Sequence, residues 1–210
     1  MDPHRRAPAR GLPRGADPPQ GRVHRRRRAD RRRAAGGHPV SSADLVALVR
    51  DVLDETGLEW EAGARDDELV VSLPGEKKLR TVVSLVCGDT ALSVSAFVIR
   101  NPDENHGEVY RFLLSRNLRL PGLAYAVDRS GDVFVTGRVP ATGVDARYLD
   151  QLLGVVLTAV DEPFNELLVM GFLTSMRKEW EWRVSRGESL RNLEAFRHIL
   201  ERPGDPPRDT

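Results

Sequence analysis

Four side chains that could take part in acid–base or metal chemistry lie close together in the segment NPDENHGEVYRF. They are Asp103, Glu104, His106 and Glu108. Because a histidine beside a carboxylate can act as a general base, one hypothesis is a hydrolase that pairs His106 with Asp103 or Glu108. Their spacing does not reproduce a metal motif such as H-E-x-x-H, and the sequence around them offers no nucleophile or oxyanion site.

The same segment also has the features of a helix start. Pro102 disfavours a helix at Asn101 but suits a helix that begins just after it. Carboxylates in the first turns of such a helix are stabilised by the positive end of its dipole. An apolar stripe of Val109, Phe112 and Leu113 follows. We therefore predict a helix start with no catalytic residue, and the sequence indicates no metal site and no cofactor.

Other motifs that could carry chemistry are incomplete. The stretch LPGEKK at residues 73–78 lacks the leading glycine and the trailing serine or threonine of a phosphate-binding loop. The single cysteine, Cys87, excludes an intrachain disulfide and a cysteine-rich zinc site, and the apolar run around it predicts a buried residue. No apolar run is long enough to span a membrane, and the N-terminus has no apolar signal region, so we expect a cytoplasmic protein.

Charge divides the chain into two unlike segments. Residues 1–40 contain 12 arginines and three acidic residues, a net charge of +9, whereas residues 41–210 carry 20 basic and 28 acidic residues, a net charge of −8. The head has almost no large apolar side chain to offset the entropy of ordering, so we predict that it is disordered. It is interpreted as a basic arm for nucleic acid or an anionic surface, as a solvated tail without a role, or as GC-rich DNA translated from a start site placed too early.

The rest of the chain has periodicities typical of an α+β fold. Helices are predicted where leucine and valine recur at helical spacing, in SSADLVALVRDVLDETG, DARYLDQLLGVVLTAVDE and FNELLVMGFLTSMRKEWEWRV. Strands are predicted for LEWEA, ELVVSLP, LRTVVSLVCG, ALSVSAFVIR, LAYAV and VFVTG. Because short links join antiparallel strands, we expect an antiparallel sheet, built as a meander plus a hairpin and packed with helices.

The strand ALSVSAFVIR illustrates the alternation that we expect in this sheet. One face is predicted to hold Leu92, Val94, Ala96 and Val98. The other face is predicted to hold Ser93, Ser95, Phe97 and Ile99. The second face is therefore only partly polar.

We divide the chain into four parts. Residues 1–40 form the Arg/Pro-rich head, and residues 41–186 form the α+β domain. Residues 187–201 include ESLRNLEAFRHIL, which is predicted to be a short amphipathic C-terminal helix. Residues 202–210 are a polar tail that is predicted to be disordered.

From about Asp44 to Trp180 the chain resembles the YbjN family of bacterial sensory-transduction regulators. The resemblance is carried by the helix LVALVRDVLDETGLEWE, the strands LRTVVSLV and LSVSAFVI, the segment VYRFLLSRNLRLPGLAYAVD with Asn117, the hairpin DVFVTGRVP and the helix LDQLLGVVLTAVDE. It implies a fold similar to type III secretion chaperones, which bind extended or amphipathic segments of partner proteins. It also implies a cytoplasmic, often dimeric and non-enzymatic protein. The Arg-rich head and the extra C-terminal helix depart from this pattern.

The late helices are expected to carry a binding surface. Trp180 and Trp182 are two residues apart, so on a helix they diverge by about 200° and cannot both face one core. One of them is predicted to lie at a surface that a partner or second subunit fills, or to be covered by the C-terminal helix through Phe196. The predicted partner or dimer surface comprises Val155, Phe164, Leu168, Phe172, Trp180 and Trp182. We therefore predict a non-enzymatic protein-binding module of the YbjN type, chaperone-like or regulatory, with an unidentified protein partner. The resemblance implies that it forms a homodimer.

Overall fold

The computed structural model describes residues 41–201, and the predicted head (1–40) and tail (202–210) lie outside them. The α-helices are α1 (Ser42–Thr56), α2 (His106–Asn117), α3 (Ala146–Asp161), α4 (Phe164–Arg186) and α5 (Arg197–Leu200). The strands are β1 (Glu59–Ala62), β2 (Glu68–Pro74), β3 (Arg80–Cys87), β4 (Ala91–Ile99), β5 (Leu123–Val127) and β6 (Val133–Pro140). Short 3-10 helices span Ala141–Gly143 and Arg191–Phe196. No helix within residues 41–201 is both long and apolar enough to cross a membrane.

The six strands form one antiparallel sheet in the order β1-β2-β3-β4-β6-β5. The first four strands follow one another as a meander, because each turns back along its predecessor through a short link. The hairpin of β5 and β6 joins the sheet through β6, which pairs with β4, and α2 makes the connection from β4 to β5. The predicted α+β class, with an antiparallel sheet made of a meander and a hairpin, is confirmed.

The core lies between one face of the sheet and the helices. On β3 every second side chain is buried, namely Thr81, Val83, Leu85 and Cys87. The same alternation runs through β2 and β4, as expected for a sheet that packs on one face only. Leu45 of α1 and Leu149 of α3 belong to the same buried cluster. The opposite face of the sheet keeps partly exposed side chains, including Phe97.

A β-bulge at the end of β4 changes one prediction. Phe97 lies opposite Phe134 and Ile99 lies opposite Val133, so Val98 is an extra residue between two paired positions. The alternation shifts there, and Val98 and Ile99 are both buried. The prediction that Ile99 shares a face with Phe97 is wrong, because strict alternation assumes an unbroken ladder.

The C-terminal segment differs from the single amphipathic helix that its sequence predicts. Gly187 ends α4 in the left-handed conformation, with φ of 67°, which a residue without Cβ adopts readily. The chain then forms the 3-10 helix Arg191–Phe196 and the four residues of α5. Because Phe196 and Leu200 are buried, this segment folds back onto the domain.

The side chain of Asn117, at the end of α2, covers part of the free edge of β5. Its Oδ1 accepts a hydrogen bond from the backbone N–H of Tyr125 at 2.7 Å, and its Nδ2 donates to the carbonyl of Tyr125 at 3.5 Å. An edge strand otherwise leaves such backbone groups open to another chain. Asn117 therefore takes the place that a neighbouring strand would occupy at this position.

Candidate protein-binding groove

A groove with a volume of about 570 Å³ lies between α4, the end of β4 and the C-terminal segment. Its lining is mainly apolar and contains four aromatic rings, those of Phe97, Phe164, Phe172 and Phe196. The charged residues that line it are Lys78, Arg100 and Glu179. A mainly apolar lining with a few charged groups is typical of a binding site.

Helix α4 forms the long wall of this groove. Phe164, Leu168 and Phe172 follow one another at four-residue spacing, and Met176 and Glu179 continue the same stripe. From Phe164 to Glu179 the stripe runs for about 22 Å, given a rise of about 1.5 Å per residue. The groove is therefore elongated along the helix.

The structure brings together half of the predicted partner surface. Phe164, Leu168 and Phe172 line the groove, although Phe172 itself is largely buried in its wall. Val155 lies instead on α3, in a separate cleft. The role of these residues in binding stays a prediction.

The C-terminal segment forms the opposite wall and lies over one of the two late tryptophans. Leu193 and Phe196 line the groove from this side. Trp180 has 3% of its surface exposed, and the guanidinium carbon of Arg197 lies 5.6 Å from the centroid of its ring. Trp182 is 44% exposed. The two tryptophans therefore differ in their surroundings, as their spacing predicts.

The acidic segment before α2 fixes the position of α4. The backbone N–H groups of Asp103 and Glu104 donate hydrogen bonds to the carbonyl of Gly171, at 2.9 and 3.2 Å. The carboxylate of Glu104 accepts hydrogen bonds from the backbone N–H and the hydroxyl of Thr174, both at 2.7 Å. These bonds attach the start of α2 to the middle of α4. The carboxylate of Glu104, which the sequence placed beside His106, therefore has a structural partner on α4.

Helix α2 begins at His106, which is later than the position of Pro102 suggests. Asn105 precedes it in the left-handed conformation, with φ of 54°, which asparagine tolerates better than most residues. Its Nδ2 donates a hydrogen bond to the carbonyl of Met170 at 3.0 Å, so the turn is bound to α4. The ring of His106 lies edge-on to that of Tyr110, with centroids 6.1 Å apart.

Asp103 is held by an arginine and a serine. Arg100 donates to its two carboxylate oxygens at 2.6 and 2.7 Å, and the hydroxyl of Ser175 donates at 2.6 Å. These bonds, that of Arg100 above all, lower the pKa of Asp103 to about 2. The guanidinium carbon of Arg100 lies 4.4 Å from the ring centroid of Phe172, at the groove wall. Among the described residues, no hydrogen bond joins His106 to either carboxylate of the hypothetical hydrolase.

Lys78 supplies the cation at the end of the groove near the start of α4. Its Nζ donates hydrogen bonds to the carbonyls of Phe97 and Val98, at 2.5 and 3.1 Å. The same nitrogen lies 4.8 Å from the ring centroid of Phe97 and 5.8 Å from that of Phe164. Burial lowers the pKa of Lys78 to about 8, because desolvation penalises the charged form. In the part of the chain that the structure describes, no carboxylate forms an ion pair with it.

The turn between β2 and β3 carries Lys78 to the groove. The backbone N–H groups of Lys77 and Lys78 both donate to Oδ1 of Asp161, at 2.9 and 2.8 Å. The Nζ of Lys77 donates to the carbonyl of Glu162 at 2.6 Å. A Cβ at Gly75 would overlap the carboxylate of Asp161 and lie 2.5 Å from the carbonyl oxygen of Lys78. The end of α3 therefore holds this turn in place.

Sequence reasoning did not identify Lys78 or Arg100 as groove residues. The stretch LPGEKK has the features of a turn and of an incomplete phosphate loop, and Arg100 those of the end of a strand. Their positions depend on Asp161 and Asp103, and no local pattern links Lys78 to a residue 83 positions away. One feature of the sequence does distinguish Lys78 from the other basic residues. It is one of only three lysines among 32 basic residues.

No group of three or more histidine, cysteine, aspartate and glutamate side chains within residues 41–201 is arranged to hold a metal ion. Cys87 is buried as predicted, and burial raises the pKa of its thiol to about 11, so it stays protonated at neutral pH. The groove can instead take apolar groups along α4 and an anion at Lys78.

A second apolar surface, here called the Val155 face, lies between α3 and the loop after α2. Val155, Leu152 and Tyr148 of α3 line a cleft of about 690 Å³ there, together with Leu120 of the loop. Leu118 is 90% exposed and lines an adjoining cleft that also includes Leu120. The face therefore presents apolar side chains to solvent.

Comparison with known proteins gives one family and several relatives. The YbjN family model, described as "Putative bacterial sensory transduction regulator", matches residues 45–168. The protein ML2442 of Mycobacterium leprae is 52% identical over 137 residues, which are 65% of this chain and 74% of the relative. The protein Rv0487 of Mycobacterium tuberculosis is 50% identical over 156 residues, which are 72% and 85% of the two chains. A chain of the ExsC–ExsE complex is similar with a TM-score of 0.47 and 19% identity, over 60% of this chain and 95% of that chain.

Proposed function

Because this chain belongs to the YbjN family, we propose that it is a cytoplasmic, non-enzymatic protein-binding module, chaperone-like or regulatory. The family model covers residues 45–168, so the resemblance expected from the sequence is confirmed. We assign the binding function to the groove along α4, which would seat an apolar segment of a partner protein.

One observation carries this proposal, namely an apolar groove that stays open to solvent. Phe97 at its rim is 38% exposed, and Phe164 and Leu168 are only partly buried. A partner that removes such surface from water gains about 25 cal/mol per Å² of apolar area. An elongated groove suits an amphipathic helix, which presents apolar side chains at intervals of three and four residues.

Site-specific cross-linking tests this proposal. Leu168 of the full chain is replaced by the photo-reactive residue p-benzoylphenylalanine, cells of the native host are irradiated, and adducts are identified by mass spectrometry. Val127 of β5 is the control position, because it is 46% exposed and does not line the groove. We expect a protein adduct at position 168 and none at position 127. Equal adducts at both positions, or none at either, would contradict a partner in the groove.

We also propose that the chain forms a homodimer through the Val155 face. Contiguous apolar surface on a folded protein often marks an interaction site. Leu118 and Val155 line adjoining clefts of this face that share Leu120. This face is distinct from the groove, so a dimer would leave both grooves free for partners.

The hydrolase hypothesis receives less support from these contacts. In a histidine–carboxylate pair of the kind hypothesised, the carboxylate orients the histidine that acts as the general base. The carboxylate of Asp103 is instead bound by Arg100 and Ser175. We therefore favour a structural role for this segment, and we expect His106→Ala to leave partner binding unchanged.

A further inference from the structure

We propose that the groove selects partner segments that carry a carboxylate beside Lys78 and apolar side chains along the rest of α4. This inference rests on the proposed protein-binding function and adds the chemistry of the segment that binds. The distribution of charge, the surroundings of Lys78 and the length of the groove each support it.

The three charged residues of the groove are not equally free to meet a ligand charge. Arg100 is bound to Asp103, and the carboxylate of Glu179 accepts a hydrogen bond from Arg183 at 2.6 Å. Lys78 has backbone carbonyls as its only hydrogen-bond acceptors among residues 41–201. An ammonium group has three N–H donors, so one is left for a ligand oxygen. The uncompensated charge of the groove is therefore positive and lies at one end.

The surroundings of Lys78 make an anion more favourable there than at an exposed lysine. Its Nζ lies 4.8 and 5.8 Å from the ring centroids of Phe97 and Phe164, and the side chain is partly buried. Opposite charges attract more strongly where water is partly excluded, and like charges repel more strongly. A carboxylate also stabilises the ammonium form that burial disfavours, so its binding should raise the pKa of Lys78 above about 8.

The length of the groove favours a peptide segment over a small anion. A stripe of about 22 Å matches a helix of about 15 residues. Apolar side chains on one face of such a helix would meet the partly exposed side chains of Phe97, Phe164 and Leu168. The carboxylate would then come from an aspartate or glutamate in the terminal turn that lies beside Lys78.

The test uses the full chain and three synthetic peptides of about 15 residues with one leucine–alanine helical framework. The peptides differ only in one residue of each terminal turn, which is glutamate, glutamine or lysine at both ends, so either orientation places it beside Lys78. Fluorescence anisotropy gives the dissociation constants. We expect the glutamate peptide to bind about threefold more tightly than the glutamine peptide and about tenfold more tightly than the lysine peptide.

Two substitutions separate the role of Lys78 from general charge. Lys78→Met should abolish the preference for glutamate. Lys77→Met should preserve it, because the Nζ of Lys77 donates to the carbonyl of Glu162 and does not line the groove. Thermal unfolding of both variants checks that they are folded.

A second measurement needs no substitution at Lys78. The chain contains only three lysines, so labelling lysine with ¹³C at Cε gives three side-chain signals to titrate by NMR. We expect the glutamate peptide to raise the pKa of Lys78 and the glutamine peptide to leave it unchanged.

The inference is overturned if the unaltered chain binds the glutamate and lysine peptides equally, or if folded Lys78→Met keeps the preference for glutamate. Binding of none of the three peptides also overturns it. In each case cross-linking at position 168 still decides the proposed function by itself, because an adduct there requires a partner but no charge preference.

Discussion

Asp103 lies where the start of α2 meets α4, and its carboxylate oxygens accept hydrogen bonds from Arg100 and Ser175. Charge-assisted bonds of this kind stabilise more than neutral ones, although partial exposure of Arg100 and Asp103 reduces the effect. Together with Glu104 they hold the helix that forms the groove wall. The residue that first suggested catalysis therefore contributes to the geometry of a binding surface.

The substitution Asp103→Asn should lower the free energy of unfolding by about 1 kcal/mol at neutral pH, because it removes a charge-assisted pair. The folded-state pKa of about 2 lies below the ordinary 3.8, so this stabilisation is complete above about pH 4 and is lost as the pH falls towards 2. Urea unfolding at pH 6 and pH 2.5 measures both effects. The exposed Asp51→Asn is the control. This account is contradicted if Asp103→Asn lowers the free energy of unfolding by the same amount at both pH values.

At the residue scale, local patterns predicted burial better than they predicted function. The apolar run around Cys87 predicted a buried thiol, and the structure confirms it. Lys78 gave no such indication, because its position is set by a carboxylate on α3 and by two rings that are distant in sequence. Contacts of this kind form only when the chain folds, so the anionic preference of the groove is outside the reach of local sequence analysis.

At the element scale, periodicity predicted the long helices and the strands but failed where the regular pattern is interrupted. Helix α4 spans Phe164–Arg186 and so contains the whole predicted helical segment FNELLVMGFLTSMRKEWEWRV. The bulge at Val98 and the 3-10 helix Arg191–Phe196 were not predicted. Both lie at the groove, where tertiary contacts override local preference. The fold was therefore largely predictable from the sequence, while the details of the candidate site were not.

The turn between β2 and β3 leaves no room for a Cβ at Gly75. Gly75→Ala should destabilise the protein by about 1–3 kcal/mol, because its Cβ would overlap the carboxylate of Asp161 that binds the turn. Gly107→Ala is the matched control, since Gly107 lies in α2 and no atom lies within 4 Å of a Cβ there. Thermal unfolding of both variants checks the prediction. Equal effects of the two substitutions would show that the turn has room to move.

For the whole molecule, we propose that the groove and the Val155 face serve two different binding tasks. Neither surface includes the other's lining residues. A homodimer through the Val155 face would therefore present two grooves, and a partner with two suitable segments could occupy both with increased avidity.

Light scattering after size exclusion tests the dimer. We expect the full chain to have the mass of a dimer at micromolar concentration and Leu118→Glu to have the mass of a monomer, because the substitution places a charge on the Val155 face. Leu79→Glu is the control, since Leu79 is 84% exposed and lies outside this face. A monomer at every concentration of the unaltered chain would contradict the proposed interface.

Residues 1–40 and residues 41–210 carry net charges of opposite sign, so only residues 1–40 are expected to attract nucleic acid. Replacing the seven arginines of residues 25–28 and 31–33 with glutamine should abolish any salt-sensitive binding to nucleic acid, because residues 41–210 have a net charge of −8 and repel phosphate. Filter binding at several salt concentrations measures the affinity of each chain for nucleic acid. Unchanged affinity of the substituted chain would exclude the head as a nucleic-acid arm.

The amide of Asn117 has a consequence for the way in which partners are distinguished. A chain that binds by adding a strand uses its backbone, which is nearly the same in every protein, and needs a free sheet edge. At one edge of this sheet Asn117 already bonds Tyr125, and at the other β1 is four residues long with exposed Glu59 and Glu61. Both edges therefore discourage backbone pairing, including the pairing that leads to fibrils. Discrimination among partners is left to side chains, so the protein should be a selective binder of particular sequences and a poor general holder of unfolded chains.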